Sequence, residues 1–550
     1  MRVAGVVGDR SRSRAAALTI VTAALVVAAS CVPPAPVDPA RCQAAPAPSV
    51  DLHGCELRGV DWTSVDLSGA NLAGADLTGA TLTHALLTGA NLTAALTPGA
   101  DLRYAMFVDA DLRGADGRGA DLTGANLTRA NIGDVDLAEA TLTSAIVTDT
   151  LFAFGGAEAN LAEVRSGGLI GETALLPNGW LLTAGYLVGP RADLRGADLS
   201  VADLSGGLLE RANLAGAAMP TSPLAYEHVR SGSVIGQPVF PASSLYRLAG
   251  GYLVGPAADL EEAQLPGVDL GDAMLIGANL IRANLIGARL VDGDLSLADL
   301  TLATLDDATF VRVTFDSAHF DDVTLSGVTI RQPIGFQSGQ LASTDPDLSN
   351  AVLAGDFGGF DFRGRRLPGA TLSGDFGGAA FNGADLTGAT LFGAIVGGAT
   401  FDAALLTEAK LGGIIGFTSA QLRSALPDLR RTDFSGMDLS SFDLRPPLNL
   451  TSAAFDGASL LSTTATGAQL FGARFVGATL NGILASGADF RLADFTDAKV
   501  RFALLNNAQF GLAVLTRSDF SGSATTGVPL AGALFSSTVC PNGTVTSTGC

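Results

Sequence analysis

Residues 68–82 read SGANLAGADLTGATL, three near-copies of one pentapeptide in which Leu72, Leu77 and Leu82 recur at every fifth position. The register extends well beyond this stretch. Counted from Leu52, every fifth residue from Val50 to Phe152 is apolar except Thr97 and Gly117, and Ala stands two positions before most of these centres. A period of five belongs neither to an α-helix, which repeats near 3.6, nor to an alternating strand, which repeats at 2. A repeated chain path is required instead. If Ala70 and Leu72, Ala75 and Leu77, and Ala80 and Leu82 point inward and the other three positions outward, each pentapeptide forms one side of a coil, and stacked coils bury a continuous narrow core. Ala at the second inward site keeps that core thin enough to close. Gly69, Gly74, Gly79 and Gly89 precede the next Ala and are expected to let the backbone turn where a Cβ would clash.

These residues resemble the pentapeptide-repeat family, A-(D/N)-L-x-x. The resemblance implies an all-β fold: a right-handed quadrilateral β-helix with about four pentapeptides per coil. Further runs have centres from Leu194 to Met219, Leu260 to Ile330, Phe381 to Leu411 and Phe455 to Phe520. The chain then divides into a signal peptide (1–30), a Pro/Ala-rich tether (31–49), β-helix segments (50–162, 191–219, 257–330, 351–411 and 432–520), hairpin-like insertions (163–190 and 220–256), short helical insertions (331–350 and 412–431) and a C-terminal cap (521–550).

Composition agrees with a thin, turn-rich solenoid. Of 550 residues 68 are Gly, aromatic content is 6%, and the formal net charge is −21. A solenoid grows by adding coils, so this length does not require several folds. Loss of residues 1–30, with Arg2, Arg10, Arg12 and Arg14 against Asp9, shifts the charge from −21 to −24. Such acidity excludes ordinary nucleic-acid binding, which relies on Lys and Arg to neutralise phosphates.

The N-terminus reads as an export signal. Four arginines precede an apolar run from Ala15 to Ala29 that is too short for a membrane-spanning helix, and the run ends in Ala28-Ala29-Ser30-Cys31. This resembles a bacterial lipobox with Cys31 as the lipid-carrying residue; ordinary cleavage near Ser30 is the alternative. Five cysteines leave an odd one, and assigning Cys31 to lipid leaves two sequence-local pairs, Cys42 with Cys55 and Cys540 with Cys550. Both pairs lie at ends of the repeat array, where terminal coils expose open edges and an apolar cross-section. Capping of both ends is expected. The family's dimers imply an alternative, in which one end stays open as a homodimer interface.

Two kinds of insertion occur twice. Arg165 to Pro190 and Arg230 to Pro256 are copies of one module carrying Trp180 and Tyr186 in the first and Tyr246 and Tyr252 in the second. Exposed, these four aromatics would be partner-binding candidates for a protein or glycan; the other reading is a hairpin flap that buries them. Gly335 to Leu341 and Gly416 to Leu422 match at a constant offset, and Thr418 with Gln421 fits a capping box, which predicts a short helix stopped before Pro427 and packed on the rod as a brace. Leu353 to Phe357 and Leu372 to Phe376 each shorten a pentapeptide by one residue and should share a corner.

Chemistry has little foothold. Asp51, Asn71, Asn91, Asp111 and Asn131 should stack on one face and Glu56, Asp76, Asp116 and Asp136 on another. A Ca²⁺ ladder is conceivable there, but a solvated face bonding its local backbone is the simpler expectation. His53, His84, His228 and His319 form no metal-spacing motif. No catalytic residue, metal site or cofactor is expected. The reading is a non-enzymatic exported scaffold or binding protein of a bacterial envelope, with an unidentified protein or glycan partner and a lipid anchor. The alternatives are a purely structural spacer or, for a cytoplasmic protein, the DNA-mimicking gyrase binding that the family resemblance implies.

Overall fold

The chain returns to the same place every twenty residues. In the computed structural model, which describes residues 39–155, 158–171, 176–344, 347–530 and 532–550, parallel bridges join Asp51 to Asn71, Glu56 to Asp76, Asp61 to Thr81 and Asp66 to Leu86. Four bridges per twenty residues define four sides, and the architecture is the quadrilateral all-β helix. Among the described residues the longest sheet is parallel and seven-stranded, running from Asp269–Gly271 to Ala394–Ile395.

Hydrogen bonding explains why five residues suffice. In the unit around Trp62, the Trp62 N–H donates to Thr81 O of the next coil (2.7 Å), Ser64 N–H to Thr83 O (2.8 Å) and Val65 N–H back to Trp62 O (3.1 Å). The residue before each centre donates to the preceding coil, as Thr81 N–H does to Val60 O (2.8 Å). One N–H per unit is left over, and the Asp or Asn side chain takes it: Thr63 N–H donates to Asp61 Oδ1 at 3.0 Å. Where Asp or Asn stands before the centre, the backbone donors of an interior unit are satisfied within that pentapeptide and its two neighbours. The preference for Asp or Asn before each centre therefore serves the backbone.

The turn residue before each inward Ala has a positive φ, 68° at Gly69 and 62° at Gly74. A Cβ built at Gly74, Gly79 or Gly89 meets nothing within 4 Å, and Ser64, His84 and Tyr104 adopt the same conformation. This sharpens the expected reason for glycine. What selects it is the left-handed backbone, in which a Cβ crowds the residue's own carbonyl at a cost of about 1–2 kcal/mol, and not contact with a neighbouring coil.

Inside, the Ala and Leu columns are buried along the rod. One core runs from Leu52 to Val164 with Leu169 and Leu187, a second runs from Val188 to Phe520, and Trp180 packs against both. Toward the C-terminus Phe replaces Leu at many centres, and the rings of Phe434, Phe455, Phe475 and Phe495 stack face to face at 5.1, 5.0 and 4.8 Å.

Insertions leave the ladder intact. Arg165 bridges directly to Asp193 and Arg230 to Asp259, so each hairpin is extruded between consecutive coils. The shortened pentapeptides fall side by side as expected, with Gly355 paired to Gly374 and Asp356 to Asp375.

The short helices α1 (Ser338–Ala342) and α2 (Ser419–Ser424) do more than brace the rod. Each substitutes for one side of a coil, and its side chains supply the missing ladder bonds. Gln340 Nε2 donates to Phe315 O (2.7 Å) and Ala318 O (2.9 Å), while Ser338 Oγ accepts from Asp361 N–H (2.9 Å) in the coil beyond. Gln421 does the same toward Val396 O (3.1 Å) and Ala399 O (2.7 Å), and Ser419 Oγ accepts from Asp443 N–H (2.9 Å). The expected Thr418–Gln421 capping box is present, and α2 ends before Pro427.

Candidate functional surface at the hairpins and charged ladders

Each hairpin module begins with the sequence Arg-Ser-Gly on the ladder and then folds out. Strands Leu181–Thr183 and Tyr186–Val188 pair antiparallel in the first copy, and Arg247–Ala249 with Tyr252–Val254 in the second. Buried Ser166 and Ser231 tie the hairpins down, accepting from Leu187 N–H and Leu253 N–H, both at 2.8 Å.

The four aromatics named from sequence do not form an exposed pair. Tyr246 is only 4% exposed, stacks on Tyr226 at 4.0 Å, and donates its hydroxyl hydrogen bond to Pro256 O. Burial pushes its phenol up to about 12. Tyr186 and Tyr252 lie across the glycines of their own Arg-Ser-Gly motifs, Gly167 and Gly232, and their hydroxyls accept from Asp198 N–H (3.1 Å) and Gln264 N–H (2.9 Å). Trp180 lies against Gly189, as Tyr246 lies against Gly255. A Cβ at Gly189 or Gly255 would enter the ring's space, and one at Gly167 or Gly232 would press on the ring at 3.1 or 3.2 Å. The rings seat each hairpin on the coils, which is the flap arrangement.

The polar ladders stack as the twenty-residue coil requires. Asp51, Asn71, Asn91, Asp111 and Asn131 bridge in order, and Asn71 Nδ2 donates to Asp51 Oδ1 at 2.9 Å. Many carboxylates also carry an Arg two residues on. Arg103 grips Asp101 through Nε and Nη2 at 2.8 and 2.6 Å, Arg363 grips Asp361, and Arg445 grips Asp443 through the same two atoms at 2.9 Å each. This Asp-x-Arg clasp is legible as a triplet in the sequence, beside the coil-to-coil stacks. Among the described residues, no group of three or more His, Cys, Asp or Glu is placed to hold a metal ion.

The clasps predict an acid transition. Hydrogen bonding from Arg103, Arg363 and Arg445 holds Asp101, Asp361 and Asp443 down at about 2. A carboxylate lowered in the folded state contributes stability that is complete above the unfolded value near 4 and is lost as pH falls toward about 2. Melting temperature should therefore be level across neutral pH and fall between about pH 4 and 2. Replacing all three by Asn should make that slope shallower; an unchanged slope would remove these three clasps as contributors to it.

Both ends are covalently closed. Cys42 is bonded to the buried Cys55 and Cys540 to Cys550. Arg41 reaches back to His53, donating to His53 O at 3.0 Å, so residues 41–43 cover the first coil. At the other end, strands Thr538–Val539 and Val545–Thr546 close the last coil over a cavity of about 390 Å³, lined by Phe510, Phe520, Val528, Leu530 and Phe535. Cys31 lies outside the described residues. No described helix is long and apolar enough to cross a membrane.

The family model for pentapeptide repeats matches residues 49–83, 85–116, 99–134, 120–152, 191–219, 257–292, 294–332, 375–413, 473–508 and 493–524, together more than half of the chain. The chain is a pentapeptide-repeat protein. Among solved structures of such proteins it is similar to HetL, involved in heterocyst differentiation regulation in the cyanobacterium Nostoc sp. strain PCC 7120, at 22% identity over 67% of this chain and 90% of HetL, with a TM-score of 0.18. Rfr23 from the cyanobacterium Cyanothece 51142 is 29% identical over 23% of this chain and 91% of its own, with a TM-score of 0.14. QnrB1, a plasmid-mediated fluoroquinolone resistance protein, is 19% identical over 47% of this chain and 90% of its own, with a TM-score of 0.12. No curated protein matches the sequence. The paired hairpins and helices are what this pentapeptide-repeat protein adds to a uniform rod.

Proposed function

We propose that this pentapeptide-repeat protein is an exported, non-enzymatic scaffold of a bacterial cell envelope, tethered by lipid on Cys31 and presenting its long polar faces to a partner. The observation that carries this reading is the pair of disulfides, one at each end of the rod. Disulfides persist in oxidising compartments and are rare where thiols are kept reduced. With four cysteines paired, Cys31 is the odd one, and it stands after an apolar, arginine-led segment. Pentapeptide-repeat proteins are generally scaffolds without catalysis, and many carboxylates of this rod, such as Asp61 and Asp101, are engaged with backbone N–H groups and arginines.

The test is intact mass and N-terminal mapping of the protein recovered from fractionated cells and medium. Diacylglycerol on Cys31 in the membrane fraction is the expected result. A chain that starts at Met1, with free thiols in the cytoplasm, would overturn it.

A further inference from the structure

A cationic groove interrupts the acidic rod where the first hairpin leaves and rejoins the ladder. Arg165 precedes the hairpin and Arg191 follows it, yet excision of the hairpin sets them on adjacent coils, with Arg165 bridged to Asp193 and Glu163 N–H donating to Arg191 O (2.8 Å). Arg195 and Arg211 complete a cavity of about 480 Å³, with Ile146 and Ile235 among its other lining residues. Four arginines face two carboxylates, Glu163 and Asp193, giving a local charge of +2 in a chain of −21.

The pairing inside the groove is incomplete. Arg191 is bound to Glu163, and Arg195 clasps Asp193 at 2.7 Å. Arg165 and Arg211 make no ion pair within 4.0 Å among the described residues, and both side chains are exposed. Repulsion by the rod's net charge does not decide what binds there. At physiological ionic strength charges more than about 8 Å away are largely screened, so a ligand in the groove meets mainly the local arginines.

We propose that this groove binds a polyanionic polysaccharide, with Arg165 and Arg211 gripping anionic groups on successive repeats of the polymer. Guanidinium forks suit both carboxylate and phosphate oxygens, so either kind of anionic group fits. The successive arginines run along the rod axis from coil to coil, which suits an extended polymer better than a single small anion. A peptide is disfavoured for two reasons. The backbone of this face is already spent on the ladder, with Arg165 N–H to Ala145 O (2.9 Å), Asp193 N–H to Val164 O (2.9 Å) and Asn213 N–H to Ala192 O (2.8 Å), leaving no edge for strand addition. The groove also lacks the aromatic lining that anchors most protein interfaces. The choice of a polysaccharide rests on the envelope reading; the binding itself does not.

Affinity measurement on the full-length mature protein, with both disulfides formed, tests it. The probes are polygalacturonate for carboxylates, a phosphomannan for phosphodiesters, neutral dextran and poly-glutamate. At least one of the first two should bind in a salt-sensitive manner, and which one binds names the anionic group. The double variant Arg165→Gln/Arg211→Gln should weaken it by about tenfold or more, the size of losing one charge-assisted contact. Arg517→Gln, at a paired arginine remote in the chain, should leave it unchanged, with melting curves showing that both variants fold. Absence of binding by both polyanions, equal loss in Arg517→Gln, or equally tight binding of poly-glutamate would each overturn the proposal. Polyanion binding by a protein found in the cytoplasm would overturn the envelope reading alone.

Discussion

Phe475→Ala is expected to destabilise the C-terminal part of the rod by about 3–5 kcal/mol. The ring is fully buried and lies between Phe455 and Phe495 at 5.0 and 4.8 Å, nearly parallel to both, with Phe490 edge-on at 5.9 Å. Truncation removes the buried area and leaves a cavity that the closed coils above and below are poorly able to fill. It also removes ring contacts worth about 0.5–1.5 kcal/mol each beyond burial. In a solenoid each coil contacts only its neighbours, so the loss should be local. Hydrogen exchange is the suitable measurement, with protection expected to fall around residues 455–495 and to persist in the first coils. Phe502→Ala is the matched comparison: that ring is 73% exposed and lies over Gly522, and its removal should change stability by about 0.5 kcal/mol or less. Equal effects at the two positions would show that the phenylalanine stack does not hold the rod together.

Gln421→Ala should have the next largest effect, about 2–4 kcal/mol, because one side chain holds both a carbonyl of the neighbouring coil and the N-cap of α2. Its Nε2 is the donor to Ala399 O (2.7 Å) and adds a second bond to Val396 O, which also accepts from Ala399 N–H (3.0 Å), and its Oε1 accepts from Thr418 N–H at 2.7 Å, so removal strands one carbonyl and opens the cap. The one carbonyl left stranded, Ala399 O, costs about 1–3 kcal/mol, and loss of the cap about 1 kcal/mol. Gln421→Glu should be at least as damaging, since it replaces a donor with an acceptor opposite two carbonyls. Thermal melting with hydrogen exchange at Asp443, which donates to Ser419, reads the outcome. Gln340→Ala should repeat the result, because α1 is built on the same pattern. A loss no larger than that of an ordinary exposed substitution would mean that α2 merely rests on the rod.

The two helical insertions show where legibility ends. Thr418 and Gln421 announced a capping box, and the helix is there. That Gln421 reaches through to the neighbouring coil was not readable, because its acceptors, Val396 and Ala399, are distant in sequence and become available only when a coil lacks its regular strand. The aromatics behave similarly. Their alignment between the two modules was visible, whereas the shelf each lies on, Gly167, Gly189, Gly232 or Gly255, is defined by the return of the chain. A glycine at the same place in both Arg-Ser-Gly motifs was the available signal.

The amino-acid sequence by itself determined the coil. Five-residue spacing, small and large inward residues and a polar residue before each centre are local requirements, and each unit meets nearly all of them with its own atoms and those of its two neighbours. The two cysteine pairs were equally local. Tertiary structure alone decided which polar groups meet across an insertion. Extruding a hairpin sets residues on adjacent coils that are far apart in the chain, and this is how Arg165 and Arg191 come to share one groove. A periodic sequence specifies its period; the contacts made where the period breaks depend on how the two sides of the break close.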